Sequence, residues 1–187
     1  MTEKLNRRRT AAAIAIAVMV ITVFASGAFG LSSLRSKADG VFYNGVSGDG
    51  LSIYGDLNTR LECAYNIGIV AQRAGADQSG EYTGMMSAYD SLSAALERDA
   101  SREDLASQNQ DLDGAVEKLY RALDGYSLSD TDESLVAKQY RTFLSADDTI
   151  SHDGYNSRAT DFNDTLSGFP ANLIAAMTGI KPLELFR

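Results

Sequence analysis

His152 is the only histidine in 187 residues, and it lies in Ser151-His152-Asp153, a triplet that invites a proton-transfer reading. The neighbouring Asp153 would point about 100° away on a helix, so the triplet reads as a surface histidine. A hydrolase built on His152 and nearby acids is the weakest of three functions weighed here. Cys63, between Glu62 and Ala64, is the single cysteine, so no intramolecular disulfide or cysteine-cluster zinc site can form. Without a cationic neighbour to activate it, it reads as a small buried hydrophobe. Asp147-Asp148 and Asp153 suggest a calcium loop, but the spaced acids, glycine and closing glutamate of such loops are missing. Asp111, Asp113 and Glu117 read as the solvated face of a helix. Asn163-Asp164-Thr165 matches the glycosylation sequon, a short pattern common by chance. No phosphate-binding glycine loop, nucleophile elbow or H-E-x-x-H occurs. No catalytic residue, cofactor site or metal site is assigned.

The charge is divided. Lys4, Arg7, Arg8 and Arg9 against Glu3 give the first 31 residues +3, so the remainder carries -8 - 3 = -11. Such an acidic body repels phosphate backbones, which excludes nucleic acid as a partner. Between these regions Ala11 to Leu31 has no charge, and its only polar side chains are Thr22 and Ser26. About 20 apolar residues rising about 1.5 Å each span a hydrocarbon core of about 30 Å. The arginines before the run outweigh Arg35 and Lys37 after it, which keeps residues 1–10 cytoplasmic and sends 32–187 outside. The competing reading is a cleaved signal peptide, with Ser26-Gly27-Ala28 as the cleavage site.

The elements needed to position these residues are helices. Both prolines, Pro170 and Pro182, lie late in the chain, which counts against β architectures. Apolar residues recur at spacings of three and four: Leu57, Leu61, Ala64, Gly68, Ala71; then Met85, Tyr89, Leu92, Leu96. Leu105, Gln108, Leu112, Val116, Leu119 and Leu123 continue the pattern. Val136, Tyr140, Phe143, Asp147 and Ile150 follow, and Tyr155, Ala159, Phe162, Leu166 and Phe169 repeat it. The five-residue step from Ile150 to Tyr155 predicts a rotated stripe or a loosened helix near Gly154. Turns are expected at 75–80, with Asp77 or Ser79 as cap, and at 124–130. Gly168-Phe169-Pro170 should end the last long helix, leaving Ala171 to Met177 for a short one. Ser101-Arg102-Glu103-Asp104 resembles a capping box opening a helix, the alternative being a helix that runs on from Glu97. Gly45, Gly48, Gly50 and Gly55 predict a break after the membrane segment. The fold class is all-α: an N-terminal transmembrane helix, then an elongated antiparallel bundle of three or four helices. Most of the nine tyrosines are assigned to the core, with a surplus available for an interaction face.

Several of these residues also carry a family likeness. Tyr155-Asn156, Phe162-Asn163 and Phe169-Pro170, with Asn172-Leu173-Ile174 and Gly179, resemble the C-terminal motifs of the LemA family of bacterial membrane-anchored helical proteins. Phe42-Tyr43-Asn44 and Asp56-Leu57-Asn58 through Asn66-Ile67 resemble that family's first bundle helix, although the proline often found there is missing. The resemblance covers roughly Leu34 to Phe186. It implies a membrane-anchored helical bundle with no established enzymatic activity. It singles out Tyr43, Asn44, Asn66, Tyr155, Asn156, Asn163, Phe169 and Pro170 as structural motif residues. The two Tyr-Asn pairs are expected to make interhelical hydrogen bonds. The leading functional expectation is a non-enzymatic interaction or scaffold protein, held in the cell membrane by its N-terminal helix and facing protein partners outside. The alternative is an extracytoplasmic ligand- or stress-sensing domain, which calls for a pocket lined by Tyr and Met.

Overall fold

The computed structural model describes residues 2–46 and 51–187, with side chains from residue 10 onward. Among the described residues there are seven α-helices and no strand: α1 (Thr2–Asn44), α2 (Ile53–Arg73), α3 (Gly80–Glu97), α4 (Arg102–Ala122), α5 (Asp130–His152), α6 (Tyr155–Ser167) and α7 (Ala171–Thr178). The chain forms two compact units. One combines Met1–Ala38 with Ala159–Leu183; the other combines Asp39–Arg158 with Glu184–Arg187.

The helix starts follow local chemistry. Ser52, Ser79, Ser101 and Ser129 each accept a backbone N–H from three residues ahead, capping α2, α3, α4 and α5. Of the two caps expected before α3, Ser79 is the one used. At Ser101 the chain breaks before α4 instead of continuing α3, and Asp99 makes the turn in the left-handed region with φ 48°. The loosening expected near Gly154 is a full break: α5 stops at His152 and α6 begins at Tyr155. α6 ends at Ser167 and α7 follows Pro170, as the proline dictated.

Three expectations change. The helix through the apolar run does not stop at Leu31 but continues through Gly40 to Asn44. Gly45, at φ 74°, ends it, and Ser52 caps the next; Gly48 and Gly50 lie outside the described residues. Phe169 does not extend the buried stripe of α6, since it is 84% exposed and Leu166 is the last covered position. The tyrosines are not mainly core. Only Tyr155 is buried, while Tyr54 and Tyr65 are exposed and the rest sit half-covered at the rim. There they pair across helices: Tyr120 stacks on Tyr140 with ring centres 3.9 Å apart, and Tyr65 meets Tyr89 at 6.0 Å.

The second unit is an antiparallel helical bundle. Arg60 of α2 pairs with Asp147 of α5, and Arg73 with Asp132, so position rises on one helix as it falls on the other. α3 likewise runs back along α2, with Tyr82 against Gln72 and Tyr89 against Tyr65. Leu57, Ala64, Met85, Leu92, Leu112, Val116, Leu119 and Phe143 are sealed inside, on the stripes that the spacing marked, and Ile67 is sealed in beside them. The first unit buries Leu31 and Ala38 of α1 with Ala159, Phe162, Leu166, Ile174, Ala175 and Leu183.

Among the described residues one helix is long and apolar enough to cross a membrane: Thr10–Asn44, whose most apolar window has none of its residues buried inside the protein.

Candidate functional site

The polar groups of the second unit converge on two arginines, Arg60 and Arg102. Arg60 is fully buried on α2, its guanidinium 3.9 Å over the Phe143 ring. Nη2 donates to Asp113 Oδ1 at 2.9 Å, and Nη1 lies 2.6 Å from Asp147 Oδ1. Asp147 therefore sits in the apolar stripe of α5 to neutralise a buried cation, and Asp113 is an ion-pair partner, not part of a purely solvated face.

Arg102, in the first turn of α4, is 7% exposed. Its Nη2 donates to Tyr43 Oη at 2.9 Å and to Asp39 Oδ1 at 3.3 Å, and its Nη1 to Asp99 Oδ1 at 3.1 Å. The guanidinium lies 3.9 Å over Phe42. Tyr43 Oη donates to Asp99 Oδ1 at 2.6 Å. Burial, then the Asp99 hydrogen bond, raises the Tyr43 hydroxyl above its ordinary value. The hydrogen bonds from Tyr43 and Arg102 hold Asp99 below its own. Burial opposes the charge on Arg102, but its bonds to Tyr43 and Asp99 outweigh that and keep it firmly protonated. These shifts favour the proton on Tyr43 and the charge on Asp99, the arrangement in which the bonds of the cluster are made.

What it holds is the non-helical segment after α7. The Arg102 amide, exposed at the start of α4, donates to Glu184 Oε2 at 3.0 Å. Tyr155 Oη donates to the Glu184 carbonyl at 2.7 Å. Asn156 Nδ2 donates to the Phe186 carbonyl and Asn156 Oδ1 accepts its amide, both at 2.8 Å. The Phe186 ring lies 6.1 Å from Phe42, which is fully buried. In the first unit Asn163 repeats this device on Leu183, with bonds of 2.9 and 2.8 Å.

The motif residues thus divide. Tyr43, Tyr155, Asn156 and Asn163 bind structure; Tyr43 makes the expected interhelical bond, accepting from Arg102 of α4, while Asn44 and the Tyr155-Asn156 pair bond elsewhere. Asn44 Nδ2 donates within its own helix to Gly40 O at 3.0 Å, and Asn156 serves a non-helical segment because a carboxamide matches one peptide group edge to edge. Asn66 is half-buried on α2; Pro170 stands at the N-cap of α7. The sequon asparagine, Asn163, has its amide nitrogen committed to Leu183.

His152 is exposed, with Nδ1 2.8 Å from Asp148 O and 2.9 Å from Ser151 Oγ. Asp153 Oδ1 accepts the Tyr155 amide at 2.7 Å, capping α6. Cys63 is buried, and burial foremost pushes its thiol up to about 11. Among the described residues no three His, Cys, Asp or Glu side chains gather to hold a metal. An open groove of about 560 Å³ lies between α3 and α4, lined by Gly84, Met85, Ser91, Gln108, Asp111 and Lys118 among others, with no tyrosine in its wall. Sequence reasoning missed Arg60 and Arg102, and the available signal was Asp147, a carboxylate inside an apolar stripe.

In comparisons with known proteins, the chain matches no family model, no curated protein and no solved structure.

Proposed function

We propose that this chain is a single-pass, membrane-anchored interaction protein of the LemA type, with a short cytoplasmic N-terminus, an extracytoplasmic helical domain and no catalytic role. One observation carries the reading. α1 exposes Ile14, Ile16, Met19, Ile21 and Val23, each at least 59% accessible, while the same helix ends in buried Val41 and Phe42. Apolar side chains left bare along about two and a half turns need a hydrocarbon partner, and the helix presenting them is built into the folded chain. Cleavage after Ala28 would cut through the middle of α1 and remove Gly27, against which Ile174 packs, so an uncleaved anchor is the better account. The acidic body and the tyrosines left at the rim of the helices suit protein contacts. Crosslinking in intact cells tests this: reproducible protein partners support it, and a random sample of envelope proteins refutes it. N-terminal sequencing of the mature chain should read from the native start.

A further inference from the structure

We propose that α7 is a second membrane contact, an interfacial helix lying in the outer leaflet beside the anchor; this rests on the membrane-anchor reading and extends it. The helix is fixed at a known level of α1. A Cβ added at Gly27 would stand 2.5 Å from Ile174 Cδ1, so Ile174 packs directly against the Gly27 backbone. Gly27 lies inside the uncharged run, four residues or about 6 Å before its end at Leu31.

Length decides which phase that level occupies. If α7 and Gly27 were in water, only Ala11 to Ser26 would remain to cross the bilayer. Those 16 residues rise about 24 Å, short of the hydrocarbon core of about 30 Å, and Arg7-Arg8-Arg9 prevent the span from extending the other way. Keeping the whole run in the core places Gly27, and the helix resting on it, about 6 Å beneath the outer boundary. Interfacial helices bury their apolar face to about 5–10 Å.

The side chains of α7 fit that phase. No charged residue occurs between Asp164 and Lys181. Ile174 and Ala175 face inward, while Leu173 and Met177, one helical turn apart, are 46% and 69% exposed. Phe169 before the helix and Phe29 on α1 are 84% and 79% exposed. The same unit thus leaves four large apolar groups bare, which water disfavours and acyl chains accept. The border is cationic: Arg35 Nε donates to the Lys181 carbonyl at 3.1 Å, so both residues stand together beyond the apolar level, where lipid phosphates lie.

The test uses the full chain in vesicles of phosphatidylcholine and phosphatidylglycerol carrying brominated acyl chains. An environment-sensitive fluorophore is attached singly at Leu173→Cys, Met177→Cys, Met19→Cys or Gln110→Cys, with the unsubstituted chain as labelling blank because Cys63 is buried. The expected result is a blue shift and bromolipid quenching at 173 and 177 as well as at 19, with neither at 110. Quenching at 19 with water-like emission at 173 and 177 overturns the interfacial helix while the anchor stands. Water-like emission at 19 overturns the anchor itself.

Discussion

The carboxamide of Asn156 makes a two-bond rung with the backbone of Phe186, donating to its carbonyl and accepting from its amide at 2.8 Å each. The two residues are 30 positions apart, and one is not in any helix. An asparagine here does the work of a neighbouring strand, satisfying a peptide group that no helix or sheet would reach. Asn156→Ala removes both bonds and should cost about 1–3 kcal/mol, at about 0.5–1.5 kcal/mol for each bond. Asn156→Asp keeps the acceptor but sets a carboxylate against the Phe186 carbonyl, and should be no better. Urea denaturation reads the loss, and faster amide exchange at Phe186 localises it; unchanged stability in both variants would refute the rung.

Arg60 predicts an asymmetry. Its side chain is fully buried, whereas Asp113 and Asp147 keep 45% and 47% of theirs exposed. Removing the cation lets both carboxylates rehydrate, so Arg60→Met should lie within about 2 kcal/mol of the parent. Removing both carboxylates strands a buried guanidinium, so Asp113→Asn with Asp147→Asn should cost about 3–5 kcal/mol. Equal losses in the two variants would show that the carboxylates carry no neutralising role.

Asp56 and Asp99 pull stability in opposite directions with pH. Burial, then the Asp153 charge, raises Asp56 above its ordinary 3.8, and its Oδ2 is buried without a hydrogen-bond partner. The folded state therefore binds that proton more tightly than the unfolded one, and ionising Asp56 costs stability as pH rises through its folded value. Asp99 is lowered, so its contribution is present above 3.8 and is lost as pH falls through its folded value. Asp56→Asn should raise the thermal midpoint at neutral pH and give no gain below 3.8. Asp99→Asn should lower the midpoint at neutral pH, with the deficit closing in acid. Calorimetry across that range checks both signs.

Gly84 and Gly114 lie inside α3 and α4, and a Cβ at either meets nothing within 4 Å. Among the described residues nothing needs them small. Gly84→Ala and Gly114→Ala should each stabilise by about 0.5–1 kcal/mol through reduced unfolded-state entropy. Both flank the open α3–α4 groove, so stabilisation accompanied by loss of a crosslinked partner would mark that groove as the contact.

The helices were legible because burial acts through spacing: Leu57, Ala64, Leu92, Leu112 and Phe143 all fall on stripes of three- and four-residue spacing. The breaks at Asp99 and Gly154 were legible less completely, since a cap such as Ser101 can also sit within a longer helix. The polar framework was not readable. Arg60 meets its partners 53 and 87 residues later, and Arg102 meets Asp39 63 residues earlier. A charged side chain carries no local mark of burial, because burial depends on distant neutralising groups. Family likeness pointed to Asn156 and Asn163 without giving their partners, which lie on a segment with no periodic pattern of its own.

The second unit draws Glu184–Arg187 from beyond an intervening stretch that belongs to the first. Phe42 emerges early from the ribosome, yet the ring that lies against it belongs to residue 186. A nascent chain can form α2 to α5 and still lack the rung on Asn156 and the carboxylate at the start of α4. Closure thus waits on synthesis through position 186, and a chain interrupted earlier stays visibly unfinished to proteases and chaperones.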